Sequence, residues 1–266
     1  MIGQDKLLKD IDRLIEQDLF PRFSIIVGEK GSGKKMLAKH IADTLKARKI
    51  LLQEPKVAEV RDIIAQSNKL GKRTCYILAD SDTISVNAKN ALLKIAEEPP
   101  RDCYIIMTLA DINNTLDTIK SRAQIFNMQP YAMIDIEFFC GMMDDEEKDI
   151  VVDLCSTPGE VEQLKEQGIK EFYEYVEKVY GSIATVSGAN SFKIANKLAL
   201  KDDKGYDLKL FWKAFIRVCM SDTEHKEDNC KAEQITSRAL QDLRIKGINK
   251  EGLFDMWILD IRKEWM

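Results

Sequence analysis

The chain has 266 residues, room for two or three domains at roughly 150 residues each, and carries 40 Lys+Arg against 44 Asp+Glu for a net charge of -4. That near balance excludes a chain that coats nucleic acid by itself, and 45% hydrophobic with 32% charged residues excludes disorder and collagen-like repeats. Apolar runs such as 103–107 fall far short of the ~18–20 residues that cross a bilayer, and the opening Met1-Ile2-Gly3-Gln4-Asp5-Lys6 lacks a signal pattern, so a soluble, cytoplasmic protein with no membrane partner is expected. The six cysteines, at 75, 103, 140, 155, 219 and 230, form no Cys-x-x-Cys pair, which speaks against a zinc knuckle and for reduced thiols inside cores.

In chain order, the first half alternates short β-rich runs with amphipathic stretches. Residues 23–27, 49–52, 74–78, 103–107 and 124–126 predict buried strands. Between them, 35–45 places Leu37, Ile41 and Leu45 at i, i+4 and i+8, and 57–67 contains Val60, Ile63 and Ile64; both predict helices. Such alternation predicts an α/β fold, a parallel sheet covered by helices.

After Pro130 the strand signals stop and the rest reads as helical, with breaks near Ser156-Thr157-Pro158-Gly159, Gly181, Gly188 and residues 201–205. Boundaries near 130 and 180 give expected domains of 1–130, 131–180 and 181–266. Residues 210–219 are apolar nearly all round, as in a helix buried inside a bundle. Asn249 is expected to cap a last helix with Leu253, Met256, Trp257 and Ile261 on its inner face.

The segment Gly28-Glu29-Lys30-Gly31-Ser32-Gly33-Lys34-Lys35 follows the first predicted strand and opens a predicted helix. That is the setting of a phosphate-binding loop. Its glycines let the backbone wrap a polyphosphate, its amides point inward, and the helix N-terminus adds positive potential. Gly28, Gly31, Ser32, Gly33, Lys34 and Lys35 are therefore the candidate nucleotide-binding residues, with Lys34 reaching the β- and γ-phosphates. The residue after the loop lysine should be Ser or Thr, whose hydroxyl helps hold Mg²⁺. Here it is Lys35, a cation that attracts phosphate and cannot coordinate a metal. Asp80 and Asp82, just past the third strand, either reach a metal or serve a turn or helix start.

Residues Asn90-Ala91-Leu92-Leu93-Lys94-Ile95-Ala96-Glu97-Glu98-Pro99-Pro100 resemble the Asn-Ala-Leu-Leu-Lys…Glu-Glu-Pro-Pro signature of bacterial DNA polymerase III clamp-loader subunits. Ile2-Gly3-Gln4 resembles the opening motif of that family, and Thr118-Ile119-Lys120-Ser121-Arg122-Ala123 resembles its Thr-Ile-x-Ser-Arg-Cys motif. With the phosphate loop, these follow the family's order from residue 2 to about 126. The resemblance implies a P-loop AAA+ parallel sheet with helices on both faces, then a small helical lid domain and an all-α C-terminal collar domain. It also implies a place in DNA replication within a hetero-oligomer.

Alignment on Asn90 lays Ala79-Asp80-Ser81-Asp82 over the family's Asp-Glu-Ala-Asp box, so Ala79 stands at the metal-holding acid and Asp80 at the water-polarising Glu. Thr108 matches the first sensor position, a candidate nucleotide-contacting residue, or else is simply a strand-terminal Thr, and Glu160 falls where active relatives carry a basic residue. The departures at Lys35 and Ala79 imply degraded Mg²⁺ support and no ATP hydrolysis in cis; whether the loop still holds ATP stays open. Arg122 is retained, and the resemblance implies an arginine finger acting in trans on a neighbouring ATP site. A damaged site of its own beside an intact trans arginine is the pattern of the family's delta-prime branch. The plain alternative is a surface arginine paired with an acid.

Residues 36–74 contain no Cys where many relatives insert a four-Cys module, so no zinc is expected. The partners implied are gamma/tau and delta subunits, with a sliding clamp and primer-template DNA reached through the assembly. An independent P-loop ATPase using Asp80 or Asp82, and a scaffold without nucleotide chemistry, are the other readings. Lys30, Lys34, Lys35, Lys39, Lys46, Arg48 and Lys49 against the single acid Asp43 offer a local DNA-phosphate patch. We favour a solvated helix face, because no aromatics interleave to stack bases.

Overall fold

Five runs rich in β-branched and aromatic residues become five parallel strands in this computed structural model: β1 (Phe23–Val27), β2 (Arg48–Gln53), β3 (Thr74–Ala79), β4 (Cys103–Leu109) and β5 (Gln124–Asn127). Residues 1–67, 73–100, 102–183, 197–198, 205–245 and 247–265 are described, with backbone only for 64–67. The order across the sheet is β2-β3-β4-β1-β5. Each strand but β1 reaches one or two residues beyond its expected run, because backbone pairing continues after the apolar pattern ends; Gln53 pairs with Ala79 in this way.

Alternate side chains of a strand point to opposite faces, and here both faces are buried. Phe23, Ile25, Tyr76, Leu78, Ile105 and Met107 pack on one side with α3 (Val57–Ser67) and α4 (Val86–Glu97), through Val60, Ile63, Leu92 and Ile95. Ile26, Cys75, Ile77, Tyr104 and Ile106 pack on the other with α1 (Asp5–Glu16) and α2 (Lys34–Thr44), through Leu7, Ile11, Leu37 and Ile41. The expected parallel sheet with helices on both faces is the fold observed.

The Ile2-Gly3-Gln4 motif has a mechanical role. Gln4 is fully buried and its amide makes a two-pronged clamp on the strand exit beyond β5: Nε2 donates to Gln129 O and Gln129 N donates to Oε1, both at 2.8 Å. Gly3 sits at φ +68°, and a Cβ there would come within 3.0 Å of Tyr131 and Asp135.

Helix α5 (Asp117–Lys120) precedes β5, and after β5 the described elements are the helices α6 (Met133–Cys140), α7 (Asp145–Leu154), α8 (Pro158–Gln167), α9 (Ile169–Ser182), α10 (Leu208–Ser221), α11 (Lys226–Asp242) and α12 (Lys250–Trp265). A parallel bridge between Leu198 and Tyr206 is the exception to the helical reading. The break expected near 156–159 is present: α7 ends at Leu154 and α8 starts at Pro158, whose missing N–H costs nothing at the first helical position. Helix α9 runs through Gly181 and ends at Ser182. The breaks expected at Gly188 and over 201–204 lie outside the described residues. Among the described residues, no helix is long and apolar enough to cross a membrane.

The chain divides into two compact units, Met1–Asp135 with Thr157–Gly159, and Ile136–Ser156 with Glu160–Met266. In the second, α10 buries Leu210, Phe211, Trp212, Ala214 and Phe215, as its all-round apolar pattern requires. Trp257 sits at the centre, with its ring 5.0 Å from Phe215 in a T-shaped contact and its indole N–H on Thr236 Oγ1 at 2.9 Å. Asn249 Oδ1 caps α12 by accepting from Glu251 N and Gly252 N. Met256, expected inside, is 63% exposed; Phe254 and Ile258 fill the inner stripe with Leu253, Trp257 and Ile261. Positions 253, 254, 257, 258 and 261 share one helical face, and 256 lies beside it.

Five thiols are buried, and burial pushes Cys75, Cys155 and Cys219 up to about 12 and Cys103 to about 11. Cys230 is exposed, a correction to the expectation of core thiols throughout.

Two substitutions test this account. Gln4→Leu strands a buried peptide edge and is expected to lower unfolding stability by about 2 kcal/mol in urea titrations. Trp257→Ala opens a core cavity and is expected to cost about 3–5 kcal/mol in the same measurement.

Candidate functional site

All five strands end on the same edge of the parallel sheet, the edge outside which ligands bind in open α/β folds. The phosphate loop leaves β1 there, and Gly28 N donates to Leu109 O at the end of β4 at 3.1 Å. The loop's shape follows from its glycines. Gly31 and Gly33 hold φ of +83° and +91°, and a Cβ on Gly28 would fall 2.7 Å from Met128 and 2.8 Å from Ser32 Oγ. Gly33 caps α2 with no side-chain hydrogen bond, and the first turn carries Lys34 and Lys35 with no acid. Ser32 is 3% exposed and its hydroxyl has no hydrogen-bond partner among the described residues. Tyr131 Oη donates to Ser32 O at 2.8 Å, bracing the loop from the side.

Lys34 folds back over the loop, donating to Gly28 O and Glu29 O, each at 2.7 Å. Burial lowers its pKa, with the charges of Asp82 and Asp80 opposing that effect. Lys35 takes a different partner: its ammonium pairs with Asp80 at 2.8 Å, both side chains being about two-fifths exposed. Gln53 Nε2 donates to the same Asp80 oxygen. Burial alone would raise Asp80, but the hydrogen bonds from Lys35 and Gln53 and the charges of both lysines outweigh it and hold the carboxyl below its ordinary value.

Asp80 N donates to Thr108 Oγ1 at 3.1 Å, so the first-sensor position is tied by its hydroxyl to the end of β3. Asp82 accepts from Ala110 N at 3.0 and 2.8 Å, from Asp111 N at 3.2 Å and from Asn114 Nδ2 at 3.0 Å. It is a strap joining the turns after β3 and β4. Both acids weighed as metal contacts are thus engaged by protein donors, and the side chain at the metal-holding position, Ala79, offers no oxygen.

Three residues that the sequence reading passed over belong to this edge. Gln53, at the end of β2, helps hold Asp80. Thr157 Oγ1 donates to Lys30 O at 3.2 Å, and Gly159 N to Gly31 O at 3.0 Å, the two glycines packing so closely that a Cβ on Gly159 would lie 2.4 Å from Gly31 Cα. The Pro-Gly pair at a helix start was the available signal, but its partner is more than a hundred residues away.

Arg122 keeps other company. Its guanidinium pairs with Glu97 at 2.8 Å and donates to Thr118 O at 2.8 Å, with the side chain 35% exposed. None of these partners is a loop residue. Glu160 is buried in the second unit, accepting from Ser156 N at 2.7 Å and pairing with Lys209 at 2.6 Å and Lys213 at 3.6 Å. Burial would raise its pKa, but the two lysines prevail and hold it down. Of the basic cluster over 30–49, Lys34 is spent on the loop, Lys35 on Asp80 and Lys49 on Asp43 at 2.7 Å.

Several known proteins are similar to this chain. The family described as "DNA polymerase III, delta subunit" matches residues 51–132. Subunit delta' of DNA polymerase III from Pseudomonas aeruginosa is 29% identical over 185 residues, covering 55% of this chain and 56% of that one. Subunit tau from Bacillus subtilis is 23% identical over 159 residues, covering 48% of this chain and 28% of that one. The chain therefore spans about half or less of the length of these curated relatives. Among solved structures, a DNA polymerase III gamma subunit-related protein from Thermotoga maritima superposes with a TM-score of 0.58 at 16% identity, over 98% of this chain and all of that one. The RuvB Holliday junction branch migration motor of the same organism gives 0.54 at 14% identity, over 96% of this chain and 82% of its own. These last two are likenesses of fold.

Asp82→Ala releases two backbone amides and is expected to cost about 2 kcal/mol of stability. In thermal melts the loss should be the same with Mg²⁺ and with a chelator; a loss confined to Mg²⁺ buffer would make Asp82 a metal ligand.

Proposed function

We propose that this chain, a delta-prime-like AAA+ protein related to the clamp-loader subunits of DNA polymerase III, does not hydrolyse ATP in its own phosphate loop and lends Arg122 to an ATP site on an adjacent subunit. The Lys35–Asp80 ion pair carries the first half of this reading. Hydrolysis at such a loop needs a hydroxyl and an acid that together hold Mg²⁺. The donor set here does not fit that ion: an ammonium replaces the hydroxyl, a methyl replaces the acid, and Asp80 and Asp82 are already taken up by lysine, glutamine and backbone donors. Two independent losses of metal support leave the independent-ATPase reading without a ligand set.

Arg122 supports the second half by its situation. An exposed ion pair such as Arg122–Glu97 is worth only about 0–1 kcal/mol, so exchanging Glu97 for a phosphate on a neighbour costs little. A guanidinium stays charged and presents a planar fork suited to phosphate oxygens. In this reading residues 1–130 form the nucleotide-type domain, 131–180 a lid and 181–266 a collar that joins gamma/tau and delta subunits. The sliding clamp and primer-template DNA are reached through the assembly, in the cytoplasm. The near-neutral charge and the partly consumed lysines around the loop fit a chain whose contacts are mainly with protein.

The isolated chain is expected to show no Mg²⁺-dependent ATP turnover; robust turnover abolished by Lys34→Ala would overturn this reading. In the reconstituted complex, Arg122→Ala should leave assembly intact on gel filtration while removing about 10³–10⁵ in rate at the one site it serves. Steady-state ATPase of the whole complex should fall accordingly, and an unchanged rate would return Arg122 to its pairing with Glu97.

A further inference from the structure

We propose that a cavity at one end of the second compact unit takes an organic cation, an alkyl guanidinium or ammonium group held between the rings of Tyr180 and Trp265 and the carboxylates of Asp222 and Asp228. The cavity measures about 290 Å³ and is lined by those four residues with Gly181 and His225, all within that unit. Ligand cavities run about 300–1,000 Å³, so this one is sized for a single long side chain or a small amine. It shares no residue with the phosphate loop or with Arg122, so its occupancy and the proposed ATPase behaviour are independent.

Four helix ends meet there, and their polarity sets the sign of the ligand. Tyr180 and Gly181 lie in the last turn of α9, Asp222 caps the C-terminus of α10, and Trp265 is the last residue of α12. A helix C-terminus carries a partial negative charge on its unsatisfied carbonyls and favours cations. The last turns of α9 and α10 contain no basic residue to meet that potential. That of α12 has Arg262 and Lys263, neither of which lines the cavity. The fourth end, the N-terminus of α11, is positive, but Glu227 and Asp228 stand in its first turn and more than offset its partial charge. A field of this sign repels an anion and attracts a cation.

The side chains carry the same sign. Asp222 is fixed in place: Tyr180 Oη donates to its Oδ2 at 2.6 Å, His225 Nδ1 lies 2.9 Å from the same oxygen, and Glu224 N donates to Oδ1 at 2.9 Å. Those bonds, the one from Tyr180 first, hold its carboxyl well below the usual carboxylate range, so it stays charged. His225 is the one basic side chain among the described residues lining the cavity, and its Nδ1 is committed to Asp222. Asp228 is bound through its backbone, where Trp265 Nε1 donates to its carbonyl at 3.2 Å; its carboxylate has no hydrogen bond or ion pair among the described residues. The Tyr180 and Trp265 rings meet in a T-shape with centroids 5.2 Å apart, and both border the cavity. Aromatic rings beside a carboxylate are the setting in which guanidinium and ammonium groups bind. A bare metal ion does not suit this lining, since no group of three or more His, Cys, Asp or Glu side chains is placed to hold one among the described residues.

The test is titration of the full chain with N-acetylarginine amide, N-acetyllysine amide and spermidine, with uncharged N-acetylnorleucine amide as the control. Binding is read from the indole N–H resonances of Trp212, Trp257 and Trp265. We expect the Trp265 signal to shift with a Kd of about 1 mM or tighter for at least one of the three cations, while those of Trp212 and Trp257 stay in place. Asp228→Asn, with its melting curve as a folding control, should weaken that binding about fivefold or more. Asp228→Glu, which keeps the charge, should retain it within about threefold. Tighter binding of spermidine than of either amide supports the site with a free polyamine as its ligand; the reverse order supports it with a side chain presented by another protein. No Trp265 shift with any cation up to about 20 mM, an equal shift with the norleucine amide, or unchanged binding by folded Asp228→Asn overturns the proposal.

Discussion

A parallel sheet must bring all its strands out on one edge, and in this chain that constraint assembles everything chemical. The phosphate loop after β1, Gln53 at the end of β2, Asp80 and Asp82 after β3 and Thr108 near the end of β4 are scattered over more than eighty residues. They meet because Ile26 pairs with Thr108 and Gln53 with Ala79, registers fixed by burying alternate side chains on two apolar faces. A one-residue slip in either pairing would turn a core residue outward and a site residue inward. The hydrophobic pattern therefore enforces the geometry of the polar edge.

Electrostatics on that edge are organised around a substitution. Where a metal would join loop to acid, an ammonium does so, and the remaining carboxylate, Asp82, has become a backbone strap between two turns. An ion pair and a strap tie the loops of this edge together. In the second unit Glu160 is likewise buried between Lys209 and Lys213. Asp80, Asp82 and Glu160 are thus each engaged by protein donors, and Arg122 pairs with Glu97 near the surface.

Motifs that look like signatures turn out to be mechanical parts. Gln4 matters because its amide satisfies both sides of a buried peptide at Gln129, which no shorter or apolar side chain does. Gly31 and Gly159 touch backbone to backbone, so each excludes a Cβ on the other. In the helical half, Trp257 gathers Phe211, Phe215 and Phe254 around one indole whose N–H is bonded to Thr236. These are packing requirements written as sequence.

The strands, the helices at 35–45 and 57–67 and the phosphate loop with Lys35 were legible in the sequence, because each is carried locally: short branched or aromatic runs for strands, a 3.6 period for helices, fixed offsets for glycines and lysine; the departure at Ala79 came only through the family resemblance. The inner face of the last helix was nearly legible, and failed at Met256 because a hydrophobic residue beside the stripe looks the same as one within it. The choice for Asp80 and Asp82 between metal contact and turn support was not legible. Their partners, Lys35, Gln53, Ala110 and Asn114, are remote in sequence and become neighbours only through strand register. The burial of Ser32 and the contact of Gly159 with Gly31 were likewise beyond reach. Sequence alone determined which groups this protein has and which local shapes they take. Only the tertiary structure decided which carboxylate each ammonium meets, because long-range pairing follows from closing the core and leaves no periodic trace in the chain.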